Sequence, residues 1–342
     1  VTPRADDTVR LGGTRVTVTR LGLGCAPLGG LFEPVGDEAA HAVVARAAAL
    51  GVRLFDTAPL YGHGLAEQRL GSGLAGVPRE QVTIATKVGR LLRAGAPADP
   101  VLAHLFKDVP ALNPVYDFSY DGVMRSVEES LERLGVERVD VLHVHDPDDH
   151  LEEALAGAYP ALDRLRAEGA IGAVGAGMTQ TPALVRLAQA ADFDCFLLAG
   201  RYTLLDHGGL TELLPLCEQR GISLIVGGVY NSGILADPAP GATFDYAQAP
   251  PALLERARRL HEVCARHGVP LKAAAIQFPL GHPAVASVLT GCRSAAELEE
   301  NVRMFETPIP ADLWAELRAE DLLAPDVPVP GERGAEPAQA IR

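Results

Sequence analysis

Apolar residues fall along this chain in two alternating patterns. Short unbroken runs predict strands near 20–25, 52–56, 82–87, 139–145, 171–175, 194–199, 222–227 and 285–289. Between them lie stretches with apolar positions three and four apart, which predict helices over 38–50, 65–74, 121–134, 151–168, 181–190, 209–220, 251–267 and 295–304. Runs apolar at nearly every position, as from Val52 to Phe55, suit strands covered on both faces, the mark of a parallel sheet. Repeated strand and helix units with short connections close most simply into a (β/α)8 TIM barrel. The rival is an open doubly wound sheet. It is disfavoured because Gly22, Gly24, Gly29 and Gly30 lack the Gly-x-Gly-x-x-Gly spacing that such a sheet carries after its first strand.

Three segments depart from the regular alternation. Residues 10–20 hold Gly12-Gly13 between two short segments, a β-hairpin signal, and this N-terminal hairpin is expected to plug or flank the barrel. Residues 89–119 and 228–250 form long loops after strands three and seven, on the face where barrel active sites are built. The Pro-rich tail after Ala324 is expected to be loose, so the chain reads as one barrel domain over 1–342 with its core at about 16–304.

Composition narrows the class of protein. With 342 residues and 48% hydrophobic content the chain can bury a large core, and a net charge of −14 without a basic run argues against a nucleic-acid partner. Cys25, Cys195, Cys217, Cys264 and Cys292 are odd in number and widely spaced, as reduced thiols are. No apolar stretch reaches the length of a membrane span, and the first residues lack the apolar core of a signal peptide. A cytoplasmic protein without a membrane partner is expected, as a monomer or small homo-oligomer.

The chemistry gathers at strand ends. Asp56, Lys87 and His145 end strands two, three and four, and Tyr61 stands on the loop five residues past Asp56. An ammonium ending the apolar run Val-Thr-Ile-Ala-Thr-Lys needs a carboxylate, and Asp56 is the candidate. A cation beside a phenol stabilises the phenolate, so Tyr61 is expected to exchange a proton near neutral pH, as a carbonyl reductase requires. His143 and His145, two apart on one strand, share a face and open a metal reading. No later strand end supplies an obvious third histidine, so no metal ligand is assigned.

Asp56-x4-Tyr61, the strand ending in Lys87, and His145-Asp-Pro147 resemble the catalytic tetrad of the aldo-keto reductases, over roughly residues 16–304. Residues 199–206, 230–235 and 142–149 resemble the branch of D-threo-aldose or L-fucose dehydrogenases, which includes pyridoxal dehydrogenases. The resemblance implies a nicotinamide cofactor, NAD or NADP, across the barrel mouth. Tyr61 would be general acid or base, Lys87 and Asp56 its tuners, and His145 the group orienting the substrate oxygen. Oxidation of an aldose such as L-fucose or D-arabinose to its lactone is the implied reaction, and a small sugar or aldehyde the implied partner.

The cofactor grip implied by the same resemblance involves Gly24, the loop Tyr230, Asn231, Ser232 and Gly233, and the last helix's opening with Gly291, Arg293, Ser294, Glu297, Glu300 and Asn301. Glu297 stands where members often place Gln or Arg near the ribose 2′ position, and a carboxylate there repels a 2′-phosphate, which leans the expectation toward NAD. Two departures stand out. The Ser-Asn usual after strand five reads Gly177-Met178, and the stacking aromatic usual at the end of strand seven is Gly227, with Tyr230 as its substitute. Phe32, His63, Phe106, Tyr116, Phe118 and Asp146 are expected to line the substrate pocket. The competing readings are a pyridoxal 4-dehydrogenase or general aldehyde reductase, a cofactor-binding regulatory subunit, and a metal-dependent barrel hydrolase.

Overall fold

A computed structural model describes residues 2–96, 99 and 104–332. Its eight parallel strands close on themselves: β3 (Leu21–Gly24), β4 (Leu54–Asp56), β5 (Thr83–Val88), β8 (Val141–His145), β9 (Ala173–Met178), β10 (Cys195–Ala199), β11 (Ser223–Gly227) and β14 (Val285–Gly291). All eight expected strands are present, and the expected (β/α)8 barrel with them. The helices stand outside, turning residues such as Val43, Leu134, Leu162, Leu184 and Leu260 onto the outer faces of the strands.

The inner faces form a separate apolar layer. Leu54, Ala85, Val141, Ala173, Cys195, Leu197, Ile225, Ala286 and Leu289 fill it together with Leu11 and Val18. Those last two belong to the N-terminal hairpin of β1 (Thr8–Arg10) and β2 (Thr17–Thr19), whose tip is tied to the amino end of β11 by a 2.7 Å bond from the Gly12 amide to the Ser223 hydroxyl. The hairpin therefore plugs the amino-terminal end of the barrel. Catalytic groups are left to the opposite mouth.

The two long loops contain structure that periodicity did not reveal. β6 (Arg90–Ala94) and β7 (Leu112–Tyr116) pair as an antiparallel ribbon after β5, and Leu31 bridges Phe106 across from the loop after β3. β12 (Thr243–Phe244) and β13 (Ala247–Gln248) make a tight hairpin whose central residues, Asp245 and Tyr246, both take positive φ. A two-residue hairpin of this hand requires that conformation, which Gly and Asn usually supply, so the pair Asp-Tyr gave no turn signal. Arg201 clamps Asp245 with bonds of 3.0 and 2.7 Å, which pins the hairpin over the mouth.

Element boundaries differ in two instructive places. The helix over 151–168 passes through a wider π turn at Ala154–Ala158, because Pro160 has no amide to give the carbonyl of Ala156. The tail corrects an expectation: residues 325–332 are not loose. Val327 and Val329 are 2% exposed, and Arg318 binds the Val327 carbonyl at 2.7 Å and pairs with Glu332. Two valines among prolines are too few to register as a periodic pattern. The rest of the tail lies outside the described residues.

Candidate active site

Register assembles the site. Gly24 pairs with Asp56, Asp56 with Ala85, Lys87 with His143, and His145 with Gly177, so the strand ends holding Asp56, Lys87 and His145 meet at one level of the barrel. The loop with Tyr61 is fixed by close backbone contact. A Cβ on Gly62 would lie 2.4 Å from the Gly29 carbonyl oxygen, and a Cβ on Gly29 would lie 2.6 Å from the Gly62 amide. Only two glycines back to back allow this approach, and it sets the height of the phenol above the mouth.

The structure brings the four expected groups together. Lys87 Nζ donates to Asp56 Oδ1 at 2.6 Å and to the Thr57 carbonyl at 2.9 Å, with both charged side chains almost fully buried. The same ammonium lies 4.5 Å from the centre of the Tyr61 ring, and the His145 ring meets Tyr61 edge-on at 5.8 Å. Burial opposes the Lys87 charge, but Asp56 and Tyr61 together outweigh it and raise its pKa. Burial, with Arg90, Lys87 and His143 adding to it, holds His145 well below the usual histidine range. His145 is thus a neutral imidazole, suited to orienting an oxygen rather than protonating it.

Tyr61 corrects an expectation. Burial pushes its hydroxyl up to about 12, and the downward pull of Lys87 does not offset this because Asp56 and Asp146 add to the upward push. Desolvation is the largest of these influences and decides the direction of the shift. At neutral pH Tyr61 is a proton donor. As an acceptor it needs alkaline pH or a further positive charge in the cavity.

A cavity of about 840 Å³ opens above these groups, lined by Tyr61, Lys87, Phe106, Tyr116, His145 and Asp146 among others. Of the residues expected at the substrate pocket, Phe106, Tyr116 and Asp146 line this cavity, whereas Phe32 lines an adjoining lobe of about 250 Å³. Two line neither. His63 is buried behind the wall, its Nδ1 3.4 Å from the Pro110 carbonyl and its ring against Phe106. Phe118 stacks behind Tyr116 at 5.6 Å, packed where a Cβ on Gly89 would touch its ring. Both support lining residues without reaching the cavity.

Two polar lining residues stand out among those that escaped sequence reasoning. Arg90, at the start of β6, donates through Nη2 to Tyr116 Oη at 2.6 Å and to Asp146 Oδ2 at 3.1 Å. Tyr246, at the tip of the hairpin over the mouth, lines both lobes and lies 5.4 Å from Phe32. Each sits in a long irregular loop, where no periodicity marks which side chain turns back toward the barrel.

The smaller lobe tests whether a nicotinamide cofactor fits. Gly24, Gly227, Gly228 and Gly291 leave part of its wall without side chains, and it runs to Tyr61. Asn231 and Ser232 line it too, and the buried Asn231 Oδ1 has no partner although its amide nitrogen bonds the Gly200 carbonyl at 3.1 Å. A flat polar group with amide donors suits that wall.

Other expected cofactor residues lie outside both lobes. Tyr230 does not replace the stacking aromatic, because its hydroxyl turns away to Asn301 Oδ1 at 2.9 Å. Gly233 follows on the same turn without lining the groove. Ser294 caps the last helix by accepting from the Glu297 amide at 3.2 Å, and Glu297 returns to the Arg293 amide at 2.9 Å, a reciprocal capping box. Arg293 is also held by Glu33 at 2.6 Å, and Glu300 by Lys272 at 2.9 Å.

His143 and His145 share the inner face of β8, as expected. Both nitrogens of His143 are buried without partners, and a Cβ on Gly175 would lie 2.3 Å from its Nδ1. Among the described residues no group of three or more His, Cys, Asp and Glu side chains is placed to hold a metal ion.

A closed (β/α)8 barrel bearing a phenol, a buried ammonium and carboxylate pair and a neutral imidazole at its mouth defines a proton-transferring oxidoreductase site. The chain belongs to the aldo/keto reductase family, whose profile matches residues 20–321. It is similar to a pyridoxal 4-dehydrogenase from Microbacterium luteolum, 44% identical over 94% of this chain and 99% of that protein. It is also similar to a D-threo-aldose 1-dehydrogenase from a Pseudomonas species, 43% identical over 91% of this chain and 96% of that protein. Among solved structures, an aldo-keto reductase from Bacillus halodurans in its holo form covers 92% of this chain, with 25% identity and a TM-score of 0.72. The protein is therefore an oxidoreductase enzyme, and members of its family use NAD or NADP.

Proposed function

We propose that this enzyme is an aldose 1-dehydrogenase, oxidising the anomeric carbon of a small cyclic sugar such as L-fucose or D-arabinose to a lactone. The observation that carries the reading is the polar wall facing Tyr61 and His145, where Arg90, Asp146, Asp148, Asp149, Thr179 and Gln180 line the larger lobe. Hydroxyl groups both donate and accept, and a wall mixing cations, carboxylates and neutral polar groups meets them on several sides. In the oxidation Tyr61 takes the anomeric hydroxyl's proton, Lys87 steadies the phenolate, and His145 holds the oxygen in line. A bound nicotinamide supplies the acceptor for the hydride.

Gly24, Asn231, Ser232 and Gly291 would hold that cofactor along the smaller lobe. The reading favours NAD. Arg293, the cation best placed for a 2′-phosphate, is already paired with Glu33 and Glu297, and those carboxylates would repel the extra charge.

A second reading, oxidation of pyridoxal, draws support from the aromatic part of the same cavity, where Tyr61, Phe106, Tyr116 and Tyr246 could enclose a flat ring. The test is growth of reduced-nicotinamide absorbance with NAD or NADP against a panel of aldoses and pyridoxal. Turnover of an aldose well above that of pyridoxal, with NAD, is the expected result. Turnover of pyridoxal alone would replace the first reading with the second.

A further inference from the structure

Behind the mouth, on the outer face of the barrel wall, lies a polar cluster buried under the helices. Residues alternate across a strand, so Thr86 points outward where its neighbour Lys87 points in. The Thr86 hydroxyl donates to Glu67 Oε1 at 2.6 Å, and Arg133 Nε donates to Glu67 Oε2 at 2.6 Å. Thr86 is 1% exposed and Glu67 not at all. Glu67 belongs to the first turn of the helix Leu65–Gly73, and that turn hangs from the active-site loop: the Ala66 amide bonds the Tyr61 carbonyl at 3.2 Å. Arg133, from the helix Tyr120–Leu134, presses on the same loop, since a Cβ on Gly64 would lie 2.7 Å from its Cδ. An unbroken path therefore runs from Lys87 through Thr86, Glu67 and Ala66 to Tyr61, around the outside of the wall.

We propose that Thr86 and Glu67 are positioning residues for the proton transfer: their bond, locked by Arg133, sets the spacing between the Lys87 ammonium and the Tyr61 phenol. β5 is held in register by its ladders to β4 and β8, but the loop carrying Tyr61 joins no ladder. Contact between Gly62 and Gly29 fixes the height of that loop, and the brace fixes it against Lys87, 4.5 Å from the centre of the Tyr61 ring. Stability is a poor reason for such a cluster. A buried ion pair gains little over well-packed apolar side chains, whereas a short charge-assisted bond fixes distance and direction. The hold of an ammonium on a phenol weakens as the two separate, so slack in the brace is felt as lost rate.

The proposal rests on Tyr61 as the proton carrier, and the experiment separates the two. Steady-state kcat and KM are measured for whichever of L-fucose, D-arabinose and pyridoxal the wild type oxidises fastest. The variants are Thr86→Val, Thr86→Ser, Glu67→Gln, Tyr61→Phe, and Thr86→Val combined with Tyr61→Phe. Thr86→Val keeps the shape and removes the donor, so kcat should fall about tenfold or more, with KM and the calorimetric Kd of NADH within about twofold of the wild type. Thr86→Ser restores the hydroxyl and should return kcat to within about threefold. Glu67→Gln weakens the bond by removing its charge, and a loss in kcat of about threefold or more decides the matter if the valine variant does not fold. In the Tyr61→Phe background there is no phenol to place, and Thr86→Val should have no further effect. A merely structural role would lower both backgrounds alike. Thr86→Val at the wild-type rate, serine no better than valine, or equal losses in the two backgrounds would overturn the brace while the role of Tyr61 stands. Near-normal turnover in Tyr61→Phe would remove that role and the brace with it.

Discussion

Two influences compete at the Tyr61 hydroxyl, and the larger sets the pH at which the site can run. Desolvation pushes its pKa up, the carboxylates of Asp56 and Asp146 add to that, and the pull of the Lys87 ammonium does not offset them, so that it stands at about 12. Oxidation needs the phenolate, so log kcat/KM in that direction should climb by about one unit per pH unit from about pH 7 to about pH 9. His145 is held well below the usual histidine range and stays neutral throughout, so no inflection should appear near pH 6.5. A break there in the pH profile would mean that the imidazole titrates. Tyr61→Phe removes the proton carrier and little else: turnover should fall by about a thousandfold or more, while cofactor binding, followed by calorimetry, stays nearly intact. Lys87 shows how much was legible at this scale. The strand end discloses its burial and its carboxylate partner, yet no spacing in the chain discloses that desolvation outweighs its pull on the phenol.

Elements were legible wherever burial imposed a period. The eight barrel strands are buried on nearly every residue, and glycines such as Gly51, Gly135 and Gly221, all at positive φ, punctuate the units. β7 fails both criteria: Pro114 sits at its centre, and Val115 and Tyr116 are 42% and 46% exposed, so neither alternation nor propensity marks it. The same difference explains why Arg90 and Tyr246 escaped notice while Asp56, Lys87 and His145 did not. Groups at the ends of regular strands are located by the topology, whereas groups on ribbons over the mouth are located by contacts between distant loops. The N-terminal hairpin sharpens this division between scaffold and site. Leu11 is fully buried beneath the barrel, at the end away from the tetrad. Leu11→Ala should therefore cost about 2–5 kcal/mol in stability, read by chemical denaturation, and leave kcat of the folded enzyme unchanged. A matched loss of kcat would show that the plug also sets the geometry of the mouth.

On the scale of the whole molecule, the segment after Ala324 closes the fold from outside. Val327 and Val329 are buried, and a Cβ on Gly281 would lie 2.6 Å from Val329 Cα, so the segment seats against the turn just before β14. Arg318 ties it down through the Val327 carbonyl and Glu332, and the Leu322 carbonyl upstream accepts from Arg256 at 2.9 Å. Burying a valine stabilises by about 1.5–3 kcal/mol at most, and the two together are a large share of a typical folding free energy of about 5–15 kcal/mol. The turn before β14 enters the barrel at its amino end, so this contribution is felt by the scaffold and not by the mouth. A chain ending at Ala324 should accordingly melt several degrees lower than the full chain, with kcat/KM below the transition unaltered. Calorimetry read beside initial rates checks both halves. An unshifted melt would mean that the two valines contribute nothing net, and a lowered kcat/KM at low temperature would mean that the tail reaches the site through β14 and Gly291.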